Sequence, residues 1–404
     1  MSILLTLEAV VDKLGGFLNP YLRDILGLVV LHPLCVSTKE PKLKLKADGV
    51  RHLLPPVLGI YSDAAKSGES SLSTVFEMLG NLVNSMDRSS IGAYYTKFFD
   101  LCLLALDLRR QHPPSIKNII IVEKNVISAM VTLTMKLTET MFRPLFIKSI
   151  EWSSSDVEDS ENTSGKTINR VISFYGLVNK LAESHRSLFV PYFKYLLDGC
   201  VQHLVHADDT KTGMARKKKT KLQEASNNLK DRDVGLSLEL WHLRALILSS
   251  LHKCFLYDTG SLKFLDSSNF QILLKPIVSQ LVMDSPASLE LYPDIPSVKE
   301  VDDLLVACVG QMAVTAGSPL LWQPLNHEVL MQTRAEKVRS RILGLRIVQF
   351  LVEKLKEEYL AFLPETIPFL GELLEDVELP VKSLAQEILK EMETLSGESL
   401  RQYL

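Results

Sequence analysis

The apolar residues of this chain recur with the period of helices that hide one side. The pattern is clearest between residues 363 and 392. Ile367, Leu370, Leu373 and Leu374 form one stripe, and Val381, Leu384, Ala385, Ile388, Leu389 and Met392 form a second. Spacings of three and four residues match the 3.6-residue turn of an α-helix. Leu363-Pro364 opens the first helix, and the acidic turn Glu375-Asp376 with Pro380 ends it. Neither helix can bury its own stripe. Each needs the other, and the pair needs a neighbouring pair, which is the logic of a stacked repeat array.

The same period appears at Ser73–Met86, Tyr94–Arg109, Lys117–Thr140, Thr167–Glu183, Leu236–Tyr257, Val301–Ala316 and Ala335–Glu358. No segment alternates with period two between Asn-Gly or Asp-Gly turns, so essentially no sheet is predicted. An apolar or aromatic pair, a proline and a further apolar face recur at Pro20, Pro55, Pro191, Pro276 and Pro364. This signature reads as a proline near a helix start, where its missing N–H costs nothing. The intervals approximate multiples of the about 40–47 residues of armadillo and HEAT repeats. The prediction is an all-α, HEAT/armadillo-like solenoid, a right-handed superhelix of about eight to ten helix pairs. Leu4, Leu7, Val10, Val11 and Leu14 form a stripe directly after Met1 with no cap before it. It reads as the second helix of a pair whose first is missing, so the chain is expected to be the tail of a longer array.

Composition narrows the function classes. Hydrophobic residues make up 46% and charged residues 23%, as in a folded soluble protein. A net charge of −3 excludes a chain that binds nucleic acid through its overall field and leaves only local contacts. Cys35, Cys102, Cys200, Cys254 and Cys308 are dispersed and never form a CxxC pair. That argues against a disulfide framework or zinc ribbon and for a reducing compartment. Apolar runs such as Ile25–Val36 are too short to span a membrane and are broken by His32-Pro33. No signal peptide is visible, so no membrane association is expected.

Residues 151–165 hold five acidic residues and no basic one, and 211–232 hold eight basic against two acidic. Residues 151–165 and 206–233 are predicted to be exposed loops, and Asp284–Pro296, with three prolines, a rigid connector. Arg216, Lys217, Lys218, Lys219 and Lys221 form a basic run that reads either as a nuclear-localisation or RNA-contact loop or as a solvated loop. Ser153 and Ser155 each have an acid three positions on, which suits an acidophilic kinase; a solvated linker is the alternative. Along Thr333–Glu358, Arg334, Lys337, Arg339, Arg341 and Arg346 make either a binding edge or an ordinary solvated face. Val338, Ile342, Leu345, Val348, Phe350 and Leu351 form the core stripe expected of that helix.

Little points to chemistry. Gly165-Lys166-Thr167 resembles the end of a phosphate loop, but Ser160 stands where the motif needs glycine. Cys200, His203 and His206 share a broad helix face and could ligate zinc, yet a fourth ligand is evident only as Asp208 or Asp209. There is no GxSxG, HExxH or Rossmann glycine pattern. No catalytic residue, cofactor, metal or small-molecule substrate is predicted.

Several less regular strings carry a resemblance. KLGGFLNPYL at 13–22, ETMFRPLFIKSIEW at 139–152, FYGLVNKLAESHRSLFVPYFKYLLD at 174–198, LHKCFLYD at 251–258, EEYLAFLPETIPFLGELLED and the closing SGESLRQYL are similar to one family. It is the family of the very large HEAT-repeat protein of the small-subunit processome, a nucleolar factor linked to the snoRNA-guided machinery. The resemblance implies a C-terminal region of that family and a non-enzymatic scaffold. It implies nuclear and nucleolar location, and support of pre-18S rRNA processing, ribosome biogenesis and RNA polymerase I transcription. Implied partners are other processome proteins and the pre-rRNA/snoRNA ribonucleoprotein, with no membrane. On this reading residues 1–114 are N-terminal HEAT-like repeats, 115–270 the family's C-terminal module and 271–404 C-terminal HEAT repeats. A general HEAT adaptor outside ribosome biogenesis, such as a transport or phosphatase scaffold, is the alternative.

Overall fold

The structure is a computed structural model that describes residues 50–155, 163–214, 226–260, 263–287 and 289–403, with isolated positions before residue 50. Among the described residues there are helices and turns but no strand. Apart from Val10, the stripe after Met1 lies outside the described residues, as does Pro20. The chain divides into two units, Met1–Lys180 and Leu181–Leu404.

The first unit contains α1 (Val50–Gly59), α2 (Tyr61–Ser67), α3 (Glu69–Ser85), α4 (Tyr95–Leu106), α5 (Ile119–Thr134), α6 (Glu139–Ser154) and most of α7 (Thr163–His185). Helix α3 packs along α5, with α1 and α2 against α3, while α4 touches α5 and α6. Leu72, Val75, Phe76 and Leu79 of α3 and Val122, Val126 and Met130 of α5 are completely buried.

The second unit holds α8 (Leu197–Met214), α9 (Ser226–Tyr257), α10 (Ser267–Val278), α11 (Val298–Ala316), α12 (Pro319–Gln332), α13 (Val338–Leu355), α14 (Leu363–Leu374) and α15 (Leu379–Ser396). Contacts join α8, α10, α12 and α14 in one row and α9, α11, α13 and α15 in another, with each pair also packed internally. Helices α11, α13 and α15 open at Val298, Val338 and Leu379, the about 40-residue spacing of HEAT units. This is the helical-repeat solenoid the periodicity predicts.

Local chemistry sets the ends. Ser297 and Glu300 form a reciprocal capping box at α11, satisfying two of its free N–H groups. Asp266 accepts from the Asn269 N–H at α10. Gly317 and Gly397 close α11 and α15 with φ of 56° and 73°, a left-handed turn that glycine makes without steric cost.

Several expectations are corrected. Residues 206–214 and 226–233, read as loop, are helical and belong to α8 and α9. At the other expected loop, 151–154 ends α6 and 163–165 opens α7. A packed helix propagates outward at low cost through polar residues, so the missing stripe did not mark a break. Pro364 does open α14 and Pro191 stands at the start of the 3-10 helix Val190–Tyr195, but Pro55 and Pro276 sit inside α1 and α10. Prolines also lie inside α6 (Pro144), α12 (Pro324) and α14 (Pro368). These three are exposed, where a lost backbone hydrogen bond is made good by water. On α13 the stripe is wider than predicted: Leu343, Ile347 and Leu355 join Leu345, Val348 and Leu351, while Val338, Ile342 and Phe350 are only half-buried. Helix α13 has neighbours in both rows, α11 and α15 beside it and α12 across from it, so it buries more than one face.

Gly310 of α11 marks the tightest approach in the second row. A Cβ there would lie 2.3 Å from the Phe350 ring of α13. Gly310→Ala would gain about 1 kcal/mol of helix propensity but incur about 1–3 kcal/mol of overpacking. The expected result is a net loss of stability, read as a lower urea midpoint with unchanged slope. Adding Phe350→Leu should recover much of the loss.

Candidate interaction surface

The basic run Arg216, Lys217, Lys218, Lys219 and Lys221 lies outside the described residues, in the connection between α8 and α9. Of the possible zinc ligands, Cys200 is completely buried and His203 half-buried on α8; the His206 side chain is outside the described residues. Among the described residues no group of three His, Cys, Asp or Glu side chains is placed to hold a metal ion. Lys166 and Thr167 are within helix α7 rather than in a loop at the end of a strand.

The basic residues around α13 have a role that neither sequence reading named. Arg334 donates from Nε and Nη2 to Glu372 at 2.7 and 2.5 Å, its guanidinium 4.0 Å from the Phe369 ring centroid. Hydrogen bonding from Arg334 holds the Glu372 carboxyl below its usual range. Arg341 pairs with Asp376 at 2.9 Å and donates to the carbonyls of Ala335 and Glu336. Both reach forward to the next helix pair. Three others reach back. Lys337 contacts Asp284 at 2.5 Å and the Val282 carbonyl at 2.7 Å. Arg339 forks onto Asp302 and donates to the Met283 carbonyl at 2.7 Å. Arg346 meets Asp303 at 2.7 Å. Ser340 adds a buried bond to the Leu281 carbonyl. The cations are therefore rungs between successive pairs. Arg341–Asp376, with side chains 13% and 9% exposed, is the most enclosed of these five pairs.

The turns inside helix pairs carry exposed apolar residues. Leu291 and Tyr292 project from the 283–297 connection, and Val377 and Leu379 from the turn between α14 and α15, with Val377 93% exposed. Glu290, Asp294, Glu375 and Glu378 surround them in sequence and are also exposed. Among its described residues Asp284–Pro296, predicted to be a connector, has only a short 3-10 turn at Leu289–Leu291. Along the second row, a groove of about 620 Å³ is lined by Val306, Arg346, Gln349, Phe350, Glu353 and Glu391. Its mixed charge and apolar floor suit a peptide side chain more than a reacting group.

The first unit contains a buried charged cluster that no local sequence signal announces. Asp107 accepts from Arg110 at 2.9 and 2.7 Å, Gln111 at 3.0 Å and Arg170 at 2.6 Å. Burial alone would raise this carboxyl, but the bonds from Arg110 and Arg170 outweigh it and hold it below its usual value. Beside it, Arg109 forks onto Glu123 at 2.7 and 2.5 Å, and Ser173 donates to the same carboxylate. Burial, with Asp107 and Cys102 adding, pushes the Tyr61 hydroxyl up to about 12.

Because the Asp107 carboxyl is lowered in the folded state, its contribution to stability is complete above the ordinary value near about pH 4. It is lost as pH falls through the lower folded value. Asp107→Asn removes the charge that two enclosed guanidiniums face, at a cost of about 3 kcal/mol. Urea titrations should show that loss at pH 7 and a smaller difference from the parent protein as pH falls below about 4. Equal midpoints at pH 7 would refute the role given to the cluster.

With that geometry in place, relatives can be compared. Residues 90–263 match the family model described as the BP28CT (NUC211) domain. The cluster residues Asp107, Arg109, Glu123, Arg170 and Ser173 all fall inside that match. An Arabidopsis thaliana protein is 59% identical over 414 residues, covering 100% of this chain and 18% of its own length. Human HEAT repeat-containing protein 1 is 29% identical over 416 residues, covering 100% of this chain and 18% of its own. U3 small nucleolar RNA-associated protein 10 of Candida glabrata is 24% identical over 415 residues, covering 100% of this chain and 21% of its own. The chain thus spans 18–21% of the length of these relatives. A BP28CT domain match set among helical repeats, with similarity along the whole chain, makes this chain similar to the C-terminal region of these long proteins.

Proposed function

We propose that this chain is a non-enzymatic docking segment of the nucleolar small-subunit processome, acting in pre-18S rRNA processing, ribosome biogenesis and RNA polymerase I transcription. The observation that carries this reading is similarity along the whole chain to relatives named for association with U3 small nucleolar RNA. The side chains support docking rather than chemistry. Cations around α13 are paired between repeats, and the exposed groups at 290–294 and 375–379 are apolar or acidic. A stacked array of this kind binds through extended surface. The partners are other processome proteins, with the pre-rRNA/snoRNA ribonucleoprotein reached through them or through a local basic contact.

Affinity purification of a tagged chain from growing cells should enrich U3 small nucleolar RNA and pre-18S precursors over an unrelated small RNA. Recovery of transport or phosphatase components without U3 would replace this reading with a general adaptor. The basic run at 216–221 is proposed to serve nuclear entry or RNA contact. Deleting 214–222 should reduce nucleolar accumulation of the tagged chain or lower its cross-linking to pre-rRNA. If both stay unchanged, the run is only a solvated connection.

A further inference from the structure

The structure separates two serines that the sequence treats alike. Ser153 is buried on α6 and donates to the Ile150 carbonyl at 2.8 Å. Ser155, the residue just past the C-terminal end of α6, is exposed. Its hydroxyl donates to the Trp152 carbonyl at 2.9 Å and accepts from Nη1 of Arg170 at 2.9 Å. Arg170 is not a loose surface side chain. It is 12% exposed, anchored through Nε to Asp107 and placed 5.5 Å from the Trp152 ring centroid. An exposed hydroxyl therefore already sits on a fixed guanidinium. The sequence that follows, Asp156, Glu158 and Asp159, places acids one, three and four residues after it.

We propose that Ser155 is a phosphorylation site for an acidophilic protein kinase and that Arg170 holds the resulting phosphate. Ser155 Oγ attacks the γ-phosphorus of the kinase's ATP, the Oγ–P bond forms, and the bond to the leaving ADP oxygen breaks. The hydroxyl proton passes to the kinase's base. The product carries about −1.5 to −2 charge and three acceptor oxygens, which suit the planar donor fork of arginine. Asp107 keeps a cation during the exchange, because Arg110 binds it independently of Arg170. Two effects oppose the phosphate: it loses the hydroxyl's donation to the Trp152 carbonyl, and it adds negative charge at a helix C-terminus, where the dipole disfavours it. The modification therefore loosens the last turn of α6 while tying its end to α7.

The test uses the purified chain, an acidophilic serine/threonine kinase and ATP, with the phosphate located by mass spectrometry. Phosphate is expected on Ser155 and not on Ser153, and Ser155→Ala removes it. Titration of the phosphate by 31P NMR then compares the intact protein with the phosphopeptide cut from it. A second ionisation lower in the protein than in the peptide supports the Arg170 contact, and Arg170→Gln should return it towards the peptide value. Ser155 left unmodified, or identical titration in protein and peptide, overturns the proposal. The protein-against-peptide comparison needs no variant, so a misfolded Arg170→Gln protein does not remove the test.

Discussion

The apolar surface of each second-row helix is covered by its own partner helix and by the helices of the pairs beside it. Helix α13 shows this most directly: Leu343, Leu345, Ile347, Val348, Leu351 and Val352 are buried on more than one side. Burying one such side chain contributes about 1.5–3 kcal/mol, whereas an exposed ion pair contributes about 0–1 kcal/mol. Stacking therefore supplies most of the stability, and the charged rungs add a second kind of constraint. Arg339 meets both oxygens of Asp302 and the Met283 carbonyl. Sliding α13 by one helical turn would leave those partially buried groups unpaired. Apolar contact tolerates such a slip more readily than a forked guanidinium does.

The second unit was legible where a pattern is local and opaque where it is not. A start at Leu363 and a turn at Glu375-Asp376 agree with α14 ending at Leu374 and α15 opening at Leu379. The orientation of the cations on α13 was not legible. Their partners Asp284, Asp302, Glu372 and Asp376 lie in other helix pairs, so no helical spacing links them. Composition misled at 206–214 and 226–233, because polar stretches continue a helix once its neighbouring turns are packed. Proline misled at Pro55 and Pro276 for a related reason: tertiary packing holds a helix through a residue that its local preference would exclude. The basic candidate at 216–221 still rests on sequence.

In the first unit the balance between charge and burial differs. Asp107, Arg109 and Glu123 are each less than 9% exposed, so their desolvation must be met by several bonds apiece. Asp107 receives three donor side chains, and Glu123 receives a fork from Arg109 and a hydroxyl from Ser173. Arg170 links this interior to the surface, because its Nη1 amino group reaches the exposed Ser155. An event at one exposed hydroxyl is thus one side chain away from a buried carboxylate. The sequence offered only the spacing of acids after Ser153 and Ser155; burial decides between the two.

The distribution of charge also sorts the partners that each surface can accept. On the second unit, Val377 and Leu379 project beside Glu375 and Glu378, and Leu291 beside Glu290. Carboxylates at these tips repel a phosphate backbone, while the five cations around α13 are paired with Asp284, Asp302, Asp303, Glu372 and Asp376. Apolar tips ringed by acids match a protein surface with basic and apolar groups. The same rungs hold the turns in place before any partner arrives, which lowers the ordering cost of association. The charge at this edge therefore suits a protein surface better than a phosphate backbone.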